Sequence, residues 1–151
     1  MQFIKEQGLD IIIRNAVLEK RIPILGICLG MQLLCSSSTE DGYTEGLGLI
    51  QGDFEKFSLM EEQIKIPHVG FNNVYEKNKT LLLKGLSDSD FYFTHSYRMI
   101  SCKSSKVFYC FNGEEFVAGF EKENIFGTQF HPEKSQANGL KLLINFLEYK
   151  S

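Results

Sequence analysis

Apolar residues recur at nearly helical spacing between Phe3 and Lys20, at Phe3, Ile4, Ile11, Ile12, Val17 and Leu18. This spacing predicts a helix, with Gly8 as the point where it can split. Ile22 to Ile27 is then a short, continuous apolar run, the pattern of a parallel strand buried on both faces. Leu29 to Ser37 reads as the helix behind that strand, and the polar, glycine-bearing stretch from Ser36 to Gly48 as a loop. Short β-like runs follow at Leu49–Phe57, Val69–Tyr75, Phe91–Thr94, Lys106–Phe111, Phe116–Glu121 and Ile125–Phe130. Asn112-Gly113 predicts a hairpin turn. Ser135 is placed to cap a last helix whose apolar face would be Leu140, Leu143, Ile144 and Leu147. This order predicts one α/β domain over residues 1–151, a sheet with an antiparallel extension, and no repeat or linker.

Composition narrows the function classes. The 151 residues carry 43% hydrophobic and 23% charged positions, as in globular proteins with a substantial core. A net charge of −3 with scattered lysines argues against nucleic acid as a ligand. No apolar run approaches a membrane span, and the amino-terminal residues lack a secretory pattern. Cys28, Cys35, Cys102 and Cys110 show no C-x-x-C spacing, which fits free thiols in a reducing cytoplasm.

The chemistry concentrates at Gly26-Ile-Cys28-Leu-Gly30. A strand, a tight Gly-x-Cys-x-Gly turn and a helix form a nucleophile elbow, as Gly-x-Ser-x-Gly does in hydrolases. A thiol there sits at a helix N-terminus, where the macrodipole favours the thiolate. A buried turn holding an unreactive Cys is the plainer alternative. His131, at the exit of a predicted strand and before Pro132, is a candidate base, and Glu133 a candidate acceptor for its other ring nitrogen. Gln32, one helical turn after Cys28, can lean toward the same space, and Glu40 in the following loop can bind an ammonium group. Either residue would look the same if merely solvated. His68 reads as a structural histidine and His95 nearly so; neither has metal-ligand spacing, and no metal or cofactor is expected.

Taken together, Gly26-Ile-Cys28-Leu-Gly-Met-Gln32, Gly46-Leu-Gly-Leu-Ile50, Phe93-Thr-His-Ser-Tyr97 and Gly127-Thr-Gln-Phe-His131-Pro-Glu133-Lys-Ser135 resemble the class I (triad) glutamine amidotransferases. Within them the likeness is to HisH, the glutaminase subunits of imidazole glycerol phosphate synthase, and it runs along the whole chain. The resemblance implies a flavodoxin-like, mixed, mostly parallel sheet flanked by helices. It implies hydrolysis of L-glutamine to glutamate and ammonia, with Cys28 as nucleophile, His131 as base and Glu133 as its orienter. The Leu29 N–H would be an oxyanion donor; Gln32, Glu40, His95, Ser96 and Tyr97 would bind substrate. Ammonia would pass to a HisF-type (β/α)₈ barrel in a heterodimer, contacted by Asn72, Tyr92 and Lys134.

Two departures from the family pattern stand out. Phe71 occupies a position where histidine-pathway subunits usually carry Trp. With Tyr97-Arg98-Met99, it is similar to paralogues that supply ammonia for amidation of a surface-polysaccharide sugar. The family also has a βαβ region and a Pro-Gly-x-Gly oxyanion loop ahead of the point that matches Met1. The chain is therefore expected to be an N-terminally shortened domain with open sheet edge and apolar faces. A catalytically silent fragment and a generic cysteine hydrolase are the competing readings.

Overall fold

Gly8 decides how the amino-terminal apolar repeat folds. In the computed structural model it adopts φ +65°, a conformation most side chains resist. The predicted helix therefore breaks into α1 (Gln2–Glu6) and α2 (Leu9–Leu18). The structure describes residues 1–40, 42–57, 65–86, 89–103 and 106–150. Position 41 of the predicted loop lies outside them.

The remaining elements are β1 (Ile24–Ile27), α3 (Leu29–Leu34), β2 (Ser37–Ser38), β3 (Thr44–Glu45), β4 (Asp53–Lys56), β5 (His68–Glu76) and β6 (Asp90–His95). They continue with β7 (Tyr97–Met99), β8 (Lys106–Asn112), β9 (Glu114–Lys122), β10 (Ile125–Thr128), a 3₁₀ turn (Pro132–Lys134) and α4 (Gln136–Leu147). Thus α3 ends earlier than predicted, the predicted loop holds two short strands, and the run from Leu49 is a strand only from Asp53.

The strands form one ten-stranded sheet in the order β3-β2-β4-β7-β9-β8-β5-β6, with β10 on β9 and β1 on β10. The α/β class and the antiparallel extension hold, but the expected preponderance of parallel strands does not. Among the described residues only β1–β10 and β2–β4 pair in parallel. Antiparallel neighbours need only a tight turn, which the chain supplies at Gly113 between β8 and β9.

Two apolar clusters cover the two faces. One gathers Phe91, Phe93, Phe108, Phe116, Phe126, Phe130 and Leu142, with Leu25 and Phe146 packed against it. The other gathers Val17, Met31, Leu34, Phe54, Met99 and Phe120, with Ile13 and Ile24 against it. So α2 and α4 lie on opposite sides of β1. That strand is less buried than predicted, with only Gly26 fully enclosed, because β10 is its only described partner. Phe3, Ile11 and Ile12 are more than 60% exposed. Among the described residues no helix is long and apolar enough to cross a membrane.

The final helix departs from the prediction in two ways. Its buried residues are Gly139, Leu142 and Asn145, whereas Leu140, Ile144 and Leu147 face outward. The helix carries two apolar stripes, and the one with a glycine approaches most closely, since a Cβ at Gly139 would meet the Pro132 carbonyl. Ser135 makes no side-chain cap. Its hydroxyl donates to the His131 carbonyl at 2.6 Å and accepts the Tyr92 N–H at 2.9 Å, tying β6 to the turn after His131.

Leu142→Ala is expected to cost about 2–5 kcal/mol of unfolding free energy. Leu147→Lys is expected to stay within about 0.5 kcal/mol. Urea denaturation of the two variants checks the assignment of the buried face.

Candidate active site

Gly26 and Cys28 shape the turn between β1 and α3 for different reasons. A Cβ on Gly26 would lie 2.6 Å from the Gly30 carbonyl oxygen, so a glycine is required for the helix to close on the strand. Around Gly30 the space is open, which leaves room beside the thiol. Cys28 itself takes φ +50°, ψ −108°, a strained setting for a residue with a side chain. Its N–H is held by the Thr128 carbonyl at 2.7 Å. The predicted elbow is present.

The same backbone tie places the thiol beside the segment after β10. The His131 N–H donates to the Tyr92 carbonyl at 2.8 Å, and its Nδ1 lies 2.7 Å from Glu133 Oε1. A carboxylate only accepts, so the proton sits on Nδ1 and Nε2 is the acceptor. Among the described residues that Nε2 is buried without a hydrogen-bond partner. Glu133, at 49% side-chain exposure, reaches the ring from the surface side.

The expected helix-terminus activation of the thiol does not win. Burial pushes the Cys28 pKa above its usual value near 9, and the carboxylates of Glu40 and Glu133 act in the same direction. Hydrogen bonds from the Leu29 N–H and the Gln129 side chain oppose them without prevailing. Helix α3 has six residues, too short for a large macrodipole. At neutral pH the resting thiol keeps its proton.

A cleft of about 330 Å³ opens beside the elbow, lined by Leu29 and Gln32 of α3, by Ser38, Glu40, Thr44 and Glu45, and by Met1. Its volume suits a small ligand. Gln32 is buried, and its Oε1 accepts the Ser38 hydroxyl at 3.1 Å. The Glu40 N–H in turn donates to that hydroxyl at 3.2 Å. With its oxygen pinned, the Gln32 amide presents its NH₂ group as donor. Glu40 and Glu45 give the cleft a negative rim suited to an ammonium group. Ser38 carried no signal in the sequence, because its role depends on a long-range pairing of β2.

His95, Ser96 and Tyr97 do not line this cleft. Strand alternation turns His95 inward with Phe91 and Phe93, so its ring is unavailable to a ligand. His95 Nδ1 donates to the Tyr97 carbonyl at 2.6 Å, which makes its Nε2 an acceptor for His68 Nδ1–H at 3.0 Å. His68 Nε2 then accepts from Asn72 Nδ2 at 3.2 Å. Asn72 Nδ2 also donates to the Phe111 carbonyl at 3.0 Å. Carbonyl chemistry thus fixes both tautomers, and both rings are neutral. Of the predicted partner-facing residues, Tyr92 and Lys134 come together, the Lys134 Nζ lying 5.9 Å from the Tyr92 ring centre. Phe71, half exposed, packs edge-on to Tyr92 at 5.6 Å. Asn72 is instead committed to His68 and Phe111 on the other face of β5.

Burial lowers the His68 pKa from 6.5 to about 4 and the His95 pKa to about 3. The unfolded chain therefore binds more protons as the pH falls below 6.5. The stabilisation from holding both rings neutral is full above pH 6.5 and is lost progressively toward pH 3. NMR of the two rings is expected to show no protonation above pH 5. The urea midpoint is expected to fall as the pH drops from 6.5 to 4.

The sequence profile of the family described as "Glutamine amidotransferase class-I" matches residues 5–149. A protein named imidazole glycerol phosphate synthase subunit HisH 1, from Campylobacter jejuni strain RM1221, is 46% identical, covering 97% of this chain and 73% of its own. Imidazole glycerol phosphate synthase subunit HisH from Aquifex aeolicus is 45% identical, covering 97% of this chain and 70% of its own. A crystal structure of a glutamine amidotransferase superposes with a TM-score of 0.70 at 17% identity, over 97% of this chain and 70% of that one. That likeness concerns the fold. The elbow, the histidine strand and the sequence likeness converge: the chain belongs to the class-I glutamine amidotransferases.

Proposed function

We propose that this chain is the glutaminase subunit of an imidazole glycerol phosphate synthase, hydrolysing L-glutamine and delivering ammonia to a HisF-type (β/α)₈ subunit in a cytoplasmic heterodimer. Relatives from Campylobacter jejuni and Aquifex aeolicus carry that name and match 97% of the chain. What supports the chemistry is the strained Cys28 elbow, its N–H held by the Thr128 carbonyl three residues before His131, together with the state of the His131 ring. Glu133 occupies that ring's Nδ1, and its buried Nε2 is unpartnered.

The steps follow from those atoms. His131 Nε2 takes the Cys28 thiol proton, and the sulfur adds to the side-chain carbonyl carbon of glutamine. The oxyanion that forms is stabilised by the Leu29 N–H, which already points at the sulfur. His131 returns the proton to the departing nitrogen, so ammonia leaves and a glutamyl thioester remains. Water, deprotonated by the same Nε2, releases glutamate and restores the thiol. Glu133 holds the Nδ1 proton throughout, which keeps Nε2 free to act.

For the substrate, Glu40 receives the α-ammonium group and the Gln32 amide donates to an oxygen of the ligand. The segment 95–97 lies outside the cleft, where His95 holds the Tyr97 carbonyl in place. Tyr92 and Lys134, with Phe71 against the Tyr92 ring, form the face toward the barrel subunit.

Glutamate release by the chain mixed with a HisF-type subunit tests the proposal. Cys28→Ala is expected to reduce it to background; undiminished release would refute the nucleophile. Glu133→Gln is expected to lower kcat roughly 10²–10⁴-fold with a smaller effect on KM.

A further inference from the structure

Gln129 is fully buried immediately after β10, and its backbone N–H is fixed by the Ala118 carbonyl at 2.8 Å. Its Nε2 lies 3.7 Å from Cys28 Sγ. Among the described residues that sulfur is the only hydrogen-bond partner of the side chain, and Oε1 is buried with no partner. Such an orphan costs about 1–3 kcal/mol, and buried amides in folded proteins are ordinarily satisfied at both ends. Here the other end, Nε2, lies against the one thiol that the proposed reaction uses.

We propose that Gln129 is a fourth member of the catalytic group, its amide supporting the Cys28 sulfur in both protonation states. This rests on the reading of Cys28 as the nucleophile. When His131 Nε2 accepts the proton, the electron pair stays on sulfur, and the Gln129 N–H donates to it. When the thiol is protonated, rotation of the amide by half a turn presents Oε1 as acceptor for S–H. Among the described residues no other hydrogen bond holds the amide, so the exchange only replaces N–H···S by S–H···O. The charged groups acting on the sulfur, Glu40 from the loop after α3 and Glu133 from the 3₁₀ turn, both disfavour the thiolate. The donors that oppose them are the Leu29 N–H and Gln129.

The test is the pH profile of Cys28 alkylation by iodoacetamide in the intact chain, followed by mass spectrometry of the Cys28 peptide. Gln129→Met fills the same volume without a donor. It is expected to move the inflection upward, slowing alkylation about tenfold at a fixed pH below it. Gln129→Glu, nearly isosteric, is expected to move it further. A profile superimposable on that of the unmutated chain, with unchanged far-UV circular dichroism, overturns the role, since a merely structural residue leaves the inflection in place. In the unmutated chain, the Gln129 side-chain amide resonance is expected to shift through the same inflection and to lose that shift in Cys28→Ser. An amide resonance insensitive to it overturns the role without any Gln129 variant. Continued glutamine hydrolysis by Cys28→Ala would refute the underlying reading instead, so the two failures are distinguishable.

Discussion

The hydrogen bond from the Cys28 amide to the Thr128 carbonyl, 2.7 Å long, continues the parallel ladder of β1 and β10 one residue beyond β1. It makes the elbow and the histidine segment leave the sheet at the same end, separated by about 100 residues of chain but by one strand spacing in space. The register Gly26↔Gly127 and Ile27↔Thr128 then sets residue 28 beside Gln129. Both glycines are needed for close approach, since a Cβ on Gly127 would meet the Phe120 ring and one on Gly26 the Gly30 carbonyl. A one-residue slip would turn every side chain to the opposite face and separate the thiol from Gln129.

Burial acts in opposite senses at two places in this fold. Around Cys28 it favours the neutral thiol. Around His68 and His95 it favours neutral rings, and neutrality allows each to donate with one nitrogen and accept with the other. The resulting chain of bonds from Asn72 to the Tyr97 carbonyl runs in one direction because a carbonyl terminates it. Protonating either ring would set donor against donor, which is why the pair is stable only as a neutral unit.

The sheet is finished differently at its two ends. Around Phe91, Phe93 and Phe116 it is enclosed by aromatic packing. At β1 it has one described neighbour, and the helices on either side present outward-facing Ile11, Ile12, Leu140 and Leu147. Exposed apolar surface of this kind beside an unpaired strand edge marks a place where further polypeptide can pack.

The sequence by itself determined the local features. The Gly-x-Cys-x-Gly turn, the β-strand alternation, the Asn112-Gly113 hairpin and the His131–Glu133 pair depend on residues close in the chain, where spacing alone decides geometry. Tertiary structure decided whatever depends on a distant neighbour. The stripe of α4 that is buried follows from how closely Gly139 meets Pro132, and the low parallel content from which strands pair. Ser135 spends its hydroxyl on β6 instead of a cap because Tyr92 lies against it. Gln129 was visible within its motif, two residues before His131 and so able to share its face. Its contact with the sulfur arises only through the β1–β10 register. The state of the Cys28 thiol is decided in the same way: the helix N-terminus is a local feature, whereas the burial that outweighs it comes from the whole fold.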